Sequence, residues 1–454
     1  MEVEIEDSDN NEHELWIWKL KIVYIMLSLL KVKLSLEKCA VARRRRPIGR
    51  LWTRLHNTEE NRAKHSWYNT ILREAAMHNQ LVFFNITRMT PTTFEDLLLR
   101  LGTVQSLHKK DTKYRNCIPL GARLALTLRF LATGDNLRSL GYAFRVGHST
   151  ATESVNNITA ALVQVLKGDV LKKPSTEEWR TKAKEFHNRW NFPNCVGAAD
   201  GKHISIQCPA HSGSLYFNYK GFFSMVLLAI CDANYRFTLV DFGAYGREND
   251  RSVYNSSKWK TQFETNSLGL PPPCRLPDTN PSDYPEMPFG VVADDAFPQE
   301  VYMWKPYPGR TTGLMARMWM IYNYRLSRAR RTIENAFGIM AARWRVFLKP
   351  IPCHPKNVKN LVLAGVVLHN FLSVADPRYG DASYGDRYRN GTLSSGQWRQ
   401  YISERERSTC CFQDLAPKIG QNASNAAKEV RDYQMKYFNE ECIVPWQEDY
   451  FLEQ

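Results

Sequence analysis

The stretch GFFSMVLLAICDANYRFTLVDFGAYG, residues 221–246, decides how the central part of the chain is organised. Residues 221–231 are too apolar for an edge strand, and the Asp-Ala-Asn sequence at 232–234 supplies a turn into a second strand. The pattern therefore predicts a β-hairpin inside a sheet. Two shorter apolar runs, VGAAD at 196–200 and FGVVA at 289–293, predict two further buried strands.

A long amphipathic helix is predicted over residues 325–348. Its apolar stripe follows the period of an α-helix and comprises Ile333, Phe337, Met340 and Trp344. Glu334 borders this stripe, and Gly338 lies one turn further on. Glycine inside a helix costs roughly 0.8–1 kcal/mol relative to alanine, so Gly338 indicates a close approach by an ion or a strand. Strand, hairpin, strand and helix together predict a mixed α/β domain.

Residues 60–175 are predicted to be helical, and residues 136–166 have the pattern of two helices joined by a turn at Gly147. Three residues would face the core: Val155, Ile158 and Leu162. We expect Ser149 to cap the second helix. The exposed start of that helix would carry Ser149, Thr150 and Thr152. This is the part of a recognition helix that contacts base edges in DNA-binding proteins. Any helical hairpin gives the same pattern, so DNA reading and simple helix packing both remain open here.

Composition narrows the class of protein. The chain has 454 residues, of which 43% are hydrophobic and 24% charged, which excludes a wholly disordered, a collagen-like or a polytopic membrane protein. The net charge of +15 favours a nucleic-acid partner, with an ordinary basic surface as the alternative. Arginines at 43–46 indicate nuclear import, or only solvated charge. We expect a reduced protein in the nucleus, with the cytoplasm as a second location.

The predicted organisation has four parts. Residues 15–36 form a helix that four lysines make unsuitable for crossing a membrane, so we expect no membrane contact. Residues 1–59 comprise an acidic start, a short helix and a basic run, and residues 60–175 form a helical region. Residues 190–372 form an α/β domain with a proline-rich insertion at about 268–288. Residues 373–454 form a variable, loosely ordered C-terminal tail.

Acidic residues fall where these strands end. Asp200 ends one buried strand and Asp294 another, and acids at strand ends of an α/β sheet stand at the crevice where ligands bind. Together with Glu334 they would repel one another unless a cation lay among them, and oxygen ligands suit Mg²⁺ or Mn²⁺. Two such ions ~4 Å apart can cleave a phosphodiester bond. Taken singly, each acid has a structural alternative as a strand-end cap, a turn residue or a surface acid paired with arginine.

Basic residues surround Glu334 and would hold the phosphate backbone of DNA. The candidates for phosphate contacts are Arg328, Arg330, Arg331, Arg343, Arg345 and, after the first strand, Lys202.

Five stretches together resemble the PIF/Harbinger transposase family, and especially its transposase-derived nucleases. They are VGAADGKHI (196–204), residues 219–250, DDAFP (294–298), RARRTIENAFGIMAARWRVF (328–347) and LHNFL (368–372). The resemblance implies an RNase H-like domain with flanking helices after an all-helical region. It implies a divalent-metal-dependent DNA endonuclease with two Mg²⁺ or Mn²⁺ ions and the triad Asp200, Asp294 and Glu334. The family pattern of acid, any residue, small, aromatic, proline favours Asp294 over Asp295.

The same resemblance implies partners and a fourth carboxylate. Family members work with a separate Myb-like DNA-binding protein, and a homo-oligomer is a further expectation. Asp250 follows a glycine-containing bend after the hairpin and would either approach the metal ions or cap a helix. The alternative to an enzyme is a domesticated, inactive DNA-binding or adaptor protein.

Overall fold

The computed structural model describes residues 6–44, 53–111, 116–248, 250–308, 313–376, 379, 384–389, 392–415 and 423–447. The chain divides into two units, Met1–Leu55 and His56–Gln454. The first contains one helix, α1 (Glu6–Arg44), which is longer than the predicted 15–36. The side chains described in α1, those of residues 15–37, are exposed. The arginine run at 43–46 lies outside the described side chains.

The second unit begins with the predicted helical region. Its helices are α2 (Glu59–His65), α3 (Arg73–His78), α4 (Gln80–Thr87), α5 (Pro91–Gly102), α6 (Leu120–Thr133), α7 (Leu137–Phe144), α8 (His148–Val170) and α9 (Thr176–Trp190). The predicted helix pair is confirmed as α7 and α8, and Val155, Ile158 and Leu162 are buried. Gly147 takes the capping position of α8, so the expectation that Ser149 caps this helix was wrong. Ser149 is exposed, whereas Thr150 and Thr152 are half-buried.

A mixed sheet follows, with strands β1 (Cys195–Ser205), β2 (Ser224–Cys231), β3 (Phe237–Tyr245), β4 (Gly290–Val292) and β5 (Met303–Trp304). Their order is β3-β2-β1-β4-β5. The first three strands pair antiparallel, while β4 runs parallel to β1 and β5 runs parallel to β4. This order and these directions give the RNase H-like fold that was expected. The helices α10 (Asp250–Ser256) and α11 (Lys258–Glu264) connect β3 to an irregular segment that includes the proline-rich insertion.

Two long helices complete the core, α12 (Leu314–Arg343) and α13 (Pro355–Ala375). The predicted stripe of α12 and the Trp344 that follows it are buried. A Cβ at Gly338 would lie 2.4 Å from the ring of Trp398, so a tryptophan side chain makes the close approach at this glycine, and not the ion or strand that was predicted. Helix α13 is apolar and long enough to cross a membrane, but 67% of its most apolar window is buried inside the protein, as in a core helix.

The C-terminal region is folded, which contradicts the expectation of a loosely ordered tail. Its elements are β6 (Arg387–Arg389), β7 (Thr392–Ser394), α14 (Glu404–Thr409), β8 (Phe412–Asp414) and α15 (Asn425–Asn439). Strand β8 pairs antiparallel with β1, so Lys202 lies opposite Asp414. Helix α15 packs along α12 and buries Phe438. The sheet therefore has six strands, one of them contributed by the last fifth of the chain.

Candidate active site

Asp200 lies in the middle of β1 and not at a strand end as predicted, because β1 continues to Ser205, whereas Asp294 follows the end of the neighbouring parallel strand β4. Ala198 of β1 pairs with Val292 of β4, and each aspartate stands two residues further along its own strand direction. Because side chains alternate along a strand, this register directs both carboxylates to the same side of the sheet. Asp200 is 5% exposed and Asp294 is half-buried, whereas Asp295 is exposed.

The two aspartates interact electrostatically. Burial, together with the negative charge of Asp200, raises the pKa of Asp294 to about 6. Arg330 and the backbone N–H of Ala296, which donates to Asp294 Oδ1 at 3.1 Å, oppose this rise. Asp294 is therefore a carboxylate whose charge the surrounding protein compensates only in part. That is the electrostatic condition in which a bound cation is favourable.

Lys202 supplies one compensating charge to this side of the sheet. Its ammonium lies 2.9 Å from Asp200 Oδ2 and also contacts the carboxylate of Asp414 on β8. Burial alone would lower the pKa of Lys202, but Asp200 and Asp414 raise it above the ordinary lysine value. Lys202 is therefore charged and held between two carboxylates, Asp200 on its own strand and Asp414 on the neighbouring strand β8.

Glu334 stands at the rim of the site. It lies on α12 with 47% of its side chain exposed, and its Oε1 is 3.6 Å from Arg330 Nη2. Arg330 also lowers the pKa of Asp294 and Asp414, so its guanidinium lies among these three acids. Lys202 and Glu334 line the same small cavity. The structure thus brings all three predicted triad acids to one region of the sheet.

The triad is nevertheless not assembled into a metal cage. Within the described part of the chain, no three His, Cys, Asp or Glu side chains are arranged to hold a metal ion. The donors themselves suit Mg²⁺ or Mn²⁺, because all are carboxylates, and the raised pKa of Asp294 marks an uncompensated charge. Asp200, Asp294 and Glu334 are the residues that would hold such ions. Asp250 begins α10, and its side chain lies outside the described residues.

The predicted phosphate contacts separate into two groups. Arg328 is 2% exposed, stacks on Tyr388 and donates to Asn191, and Arg343 is 6% exposed and pairs with Asp376. A guanidinium buried in this way presents no surface to a phosphate, so we remove Arg328 and Arg343 from the DNA-contacting set. The half-buried members of the set are Arg330, Arg331 and Arg345.

Two histidines and one asparagine have structural roles. His203 is fully buried, with Nδ1 3.0 Å from the hydroxyl of Ser224, and burial lowers its pKa to about 4. In the LHNFL stretch, the ring of His369 contacts the carbonyl of Tyr235 at 2.8 Å. The side chain of Asn370 bonds both backbone groups of Phe237. These contacts attach α13 to the start of β3 and position the sheet rather than any ligand.

Asp414 is the site residue that sequence reasoning missed. It ends a three-residue strand, FQD, in a region without periodicity. The only signal in the sequence was an aspartate that follows two residues able to form a strand. Many loops contain the same pattern. Its partner Lys202 was identified, but as a phosphate contact rather than as a buried lysine paired with Asp200 and with the exposed Asp414.

Replacing Asp294 by asparagine is expected to stabilise the metal-free protein at high pH. The pKa of Asp294 is raised on folding, so its favourable contribution is present below the ordinary aspartate pKa and is lost as the pH rises through about 6. In EDTA, Asp294→Asn should therefore melt at a higher temperature than the wild type at about pH 8, with the difference shrinking towards about pH 4. Asp295→Asn, at the exposed neighbour, is the control and should show no such trend. Identical melting curves for Asp294→Asn and wild type at both pH values would contradict this.

Comparison with known proteins agrees with the fold. Residues 199–370 match the family described as DDE superfamily endonuclease. "Protein ALP1-like" of Arabidopsis thaliana is 28% identical over 297 residues, which cover 64% of this chain and 69% of that protein. "Putative nuclease HARBI1" of Mus musculus is 24% identical over 264 residues, which cover 58% of this chain and 69% of that protein. No solved structure gives a significant match.

The matched segment begins on β1 immediately before Asp200 and ends on α13, and it includes Asp294 and Glu334. The strand order of the sheet, the register of the two aspartates and these relatives agree with one another. Residues 199–370 therefore form a domain of the DDE superfamily endonuclease type, and the chain is similar to relatives that include a putative nuclease named HARBI1.

Proposed function

We propose that the protein is a divalent-metal-dependent DNA endonuclease that hydrolyses phosphodiester bonds with Asp200, Asp294 and Glu334. The observation that carries this proposal is the closeness of Asp200 on β1 to Asp294 just after the neighbouring strand β4, which lets Asp200 raise the pKa of Asp294. Two like charges held together in a half-buried site cost free energy in the absence of a cation. This free-energy cost is consistent with a site that binds a divalent cation.

Each residue has a distinct task in this proposal. Asp200 and Asp294 hold divalent ions from the sheet, and Glu334, which is exposed and lies on α12, completes the ligand set after parting from Arg330. The bound ions supply a reactive water and stabilise the leaving 3′ oxygen. Arg330 is then free to neutralise a phosphate oxygen. Asp250, at the start of α10, is proposed as a fourth carboxylate.

DNA is the proposed substrate and the main partner. The chain carries 61 lysines and arginines against 46 acids, and the half-buried Arg330 of α12 lies beside Glu334 at the site. Lys202 would contact phosphate only after leaving Asp200 and Asp414. We further propose a nuclear location, on the basis of the arginine run at 43–46, and a homo-oligomer. The family resemblance adds a Myb-like DNA-binding partner.

Removing the Arg330 charge is expected to weaken DNA binding in a salt-dependent way. For duplex DNA, each phosphate contact contributes about 0.9 to the slope of log affinity against log salt. Arg330→Gln should therefore reduce that slope by about 0.9 in fluorescence-anisotropy titrations of a duplex. Lys428→Gln, which removes an exposed charge on α15, is the control and should leave the slope nearly unchanged. An unaltered slope in Arg330→Gln would exclude a phosphate contact there.

A second candidate function is a catalytically inactive DNA-binding or adaptor protein. The observation that favours it is the pairing of Lys202 with Asp200 and of Arg330 with Glu334, which neutralises two of the three acids without metal. One experiment separates the two functions. Purified protein is incubated with supercoiled plasmid and Mg²⁺ or Mn²⁺. Nicking that is lost in Glu334→Gln supports the nuclease, whereas binding without nicking supports the adaptor.

A further inference from the structure

A cavity of about 170 Å³ opens beside Glu334. Its floor is apolar and buried, formed on α12 by Phe337 and Ala341 and across from them by the ring of Trp398. The half-buried ring of Phe412 and the half-buried thiol of Cys410 form another wall. Three charged side chains also line it: Lys202, Glu334 and Arg407.

The size and the lining select the kind of ligand. An engineered apolar cavity of about 150 Å³ binds benzene, and pockets for drug-sized molecules begin at about 300 Å³. A cavity of 170 Å³ therefore takes one planar ring system and little more. Three aromatic side chains form its walls, and the exposed guanidinium of Arg407 stands at its edge. Aromatic walls with a nearby cation are the environment in which an unstacked nucleobase binds.

The cavity is formed before any ligand binds. The absence of a side chain at Gly338 lets the ring of Trp398 lie directly against α12, because a Cβ there would be 2.4 Å from the ring. The indole N–H of Trp398 donates to Asn335 at 2.7 Å, and Asn335 is itself buried. Trp398 is thus held as a rigid wall, so a base entering the cavity would not have to order it.

The position of the cavity connects it with the cleavage site. Glu334 and Lys202 both line it, Lys202 contacts Asp200, and Glu334 is one of the acids that we propose hold the metal ions. A DNA strand whose scissile phosphate lies at Asp200 would therefore place an adjacent nucleotide at the cavity mouth. We propose that this cavity binds one unstacked nucleobase of the DNA substrate next to the cleaved phosphate. The inference rests on the proposed nuclease function.

The test compares two duplexes that differ only in the base offered to the cavity. One carries a single unpaired nucleotide and the other an abasic site at the same position, and binding of the full-length protein is measured in EDTA so that no cleavage occurs. Stacking a base on aromatic side chains contributes enough to change affinity by about tenfold. We therefore expect about tenfold tighter binding of the duplex with the unpaired base.

Filling the cavity should remove this preference. Cys410→Phe places a ring in the cavity and should bind both duplexes equally, whereas Cys410→Ala should keep the preference. Arg407→Ala should reduce it, and Arg405→Ala, which removes an exposed arginine from the same helix, should not. The arginine pair decides the matter if Cys410→Phe does not fold.

Two results would overturn the inference: equal affinity of the wild type for both duplexes, or a preference that survives in folded Cys410→Phe. If the wild type binds duplex DNA but makes no distinction, only the base-binding cavity is wrong. If it binds neither duplex, the proposed DNA endonuclease function fails as well.

Discussion

Glu334→Gln is expected to lower plasmid nicking by at least about a hundredfold. A divalent ion contributes several kcal/mol of transition-state stabilisation, and about 1.4 kcal/mol is a factor of ten in rate. Loss of one charged ligand removes most of that contribution. Glu334 is the most informative position because it is exposed and its ion pair with Arg330 is long at 3.6 Å, so glutamine should leave the stability of the fold unchanged.

The measurement is the initial rate of conversion of supercoiled to open-circular plasmid at a fixed concentration of Mg²⁺. Asp200→Asn and Asp294→Asn should show losses of similar size. Glu177→Gln, at an exposed glutamate on α9, is the matched control and should nick at the wild-type rate. Near-normal nicking by folded Glu334→Gln would remove Glu334 from the proposed ligand set.

Arg343→Ala is expected to destabilise the protein by about 3–5 kcal/mol, because removing one partner of a buried ion pair leaves the other charge buried. The Arg343 and Asp376 side chains are 6% and 1% exposed and lie 2.9 Å apart. The guanidinium also stacks on Tyr379 and Phe84. We therefore expect a lower midpoint of urea unfolding with an unchanged salt dependence of DNA binding.

Arg345→Ala is the matched comparison two residues further on. Its side chain is 30% exposed and pairs with Glu406, which is 33% exposed, so its loss should cost no more than about 1 kcal/mol. If Arg343→Ala instead keeps the wild-type unfolding midpoint and flattens the salt dependence, Arg343 contacts phosphate after all. The assignment of this arginine to the core would then be wrong.

The elements that sequence reasoning identified are those whose neighbours are close along the chain. The hairpin of β2 and β3 is specified by a continuous apolar run and a local turn, and the buried side of α12 is specified by an apolar residue every three or four positions. Acids at the ends of two apolar runs indicated the site, because side chains at neighbouring strand ends meet at one edge of a sheet. These signals need only a few adjacent residues.

The features that the sequence did not predict depend on contacts between segments that are far apart in the chain. Strand β8 lies opposite β1 across 212 positions of sequence, as the contact of Lys202 with Asp414 shows, and its three residues carry no pattern that predicts this pairing. Burial of Arg328 and Arg343 was unforeseen for the same reason. A charged residue on a helix is expected to face water, and only the packing of Tyr388 against Arg328 and the pairing of Asp376 with Arg343 show that these two do not.

Local periodicity thus determined the sheet, the long helix and the approximate position of the acids. Tertiary packing decided which charges are free to act. Lys202 is engaged by Asp200 and Asp414, Arg330 lies among three acids, and Glu334 alone of the triad is exposed. The physical reason is that the energy of a charge depends on its burial and on every other charge nearby, and in this protein those charges come from segments far apart in the sequence.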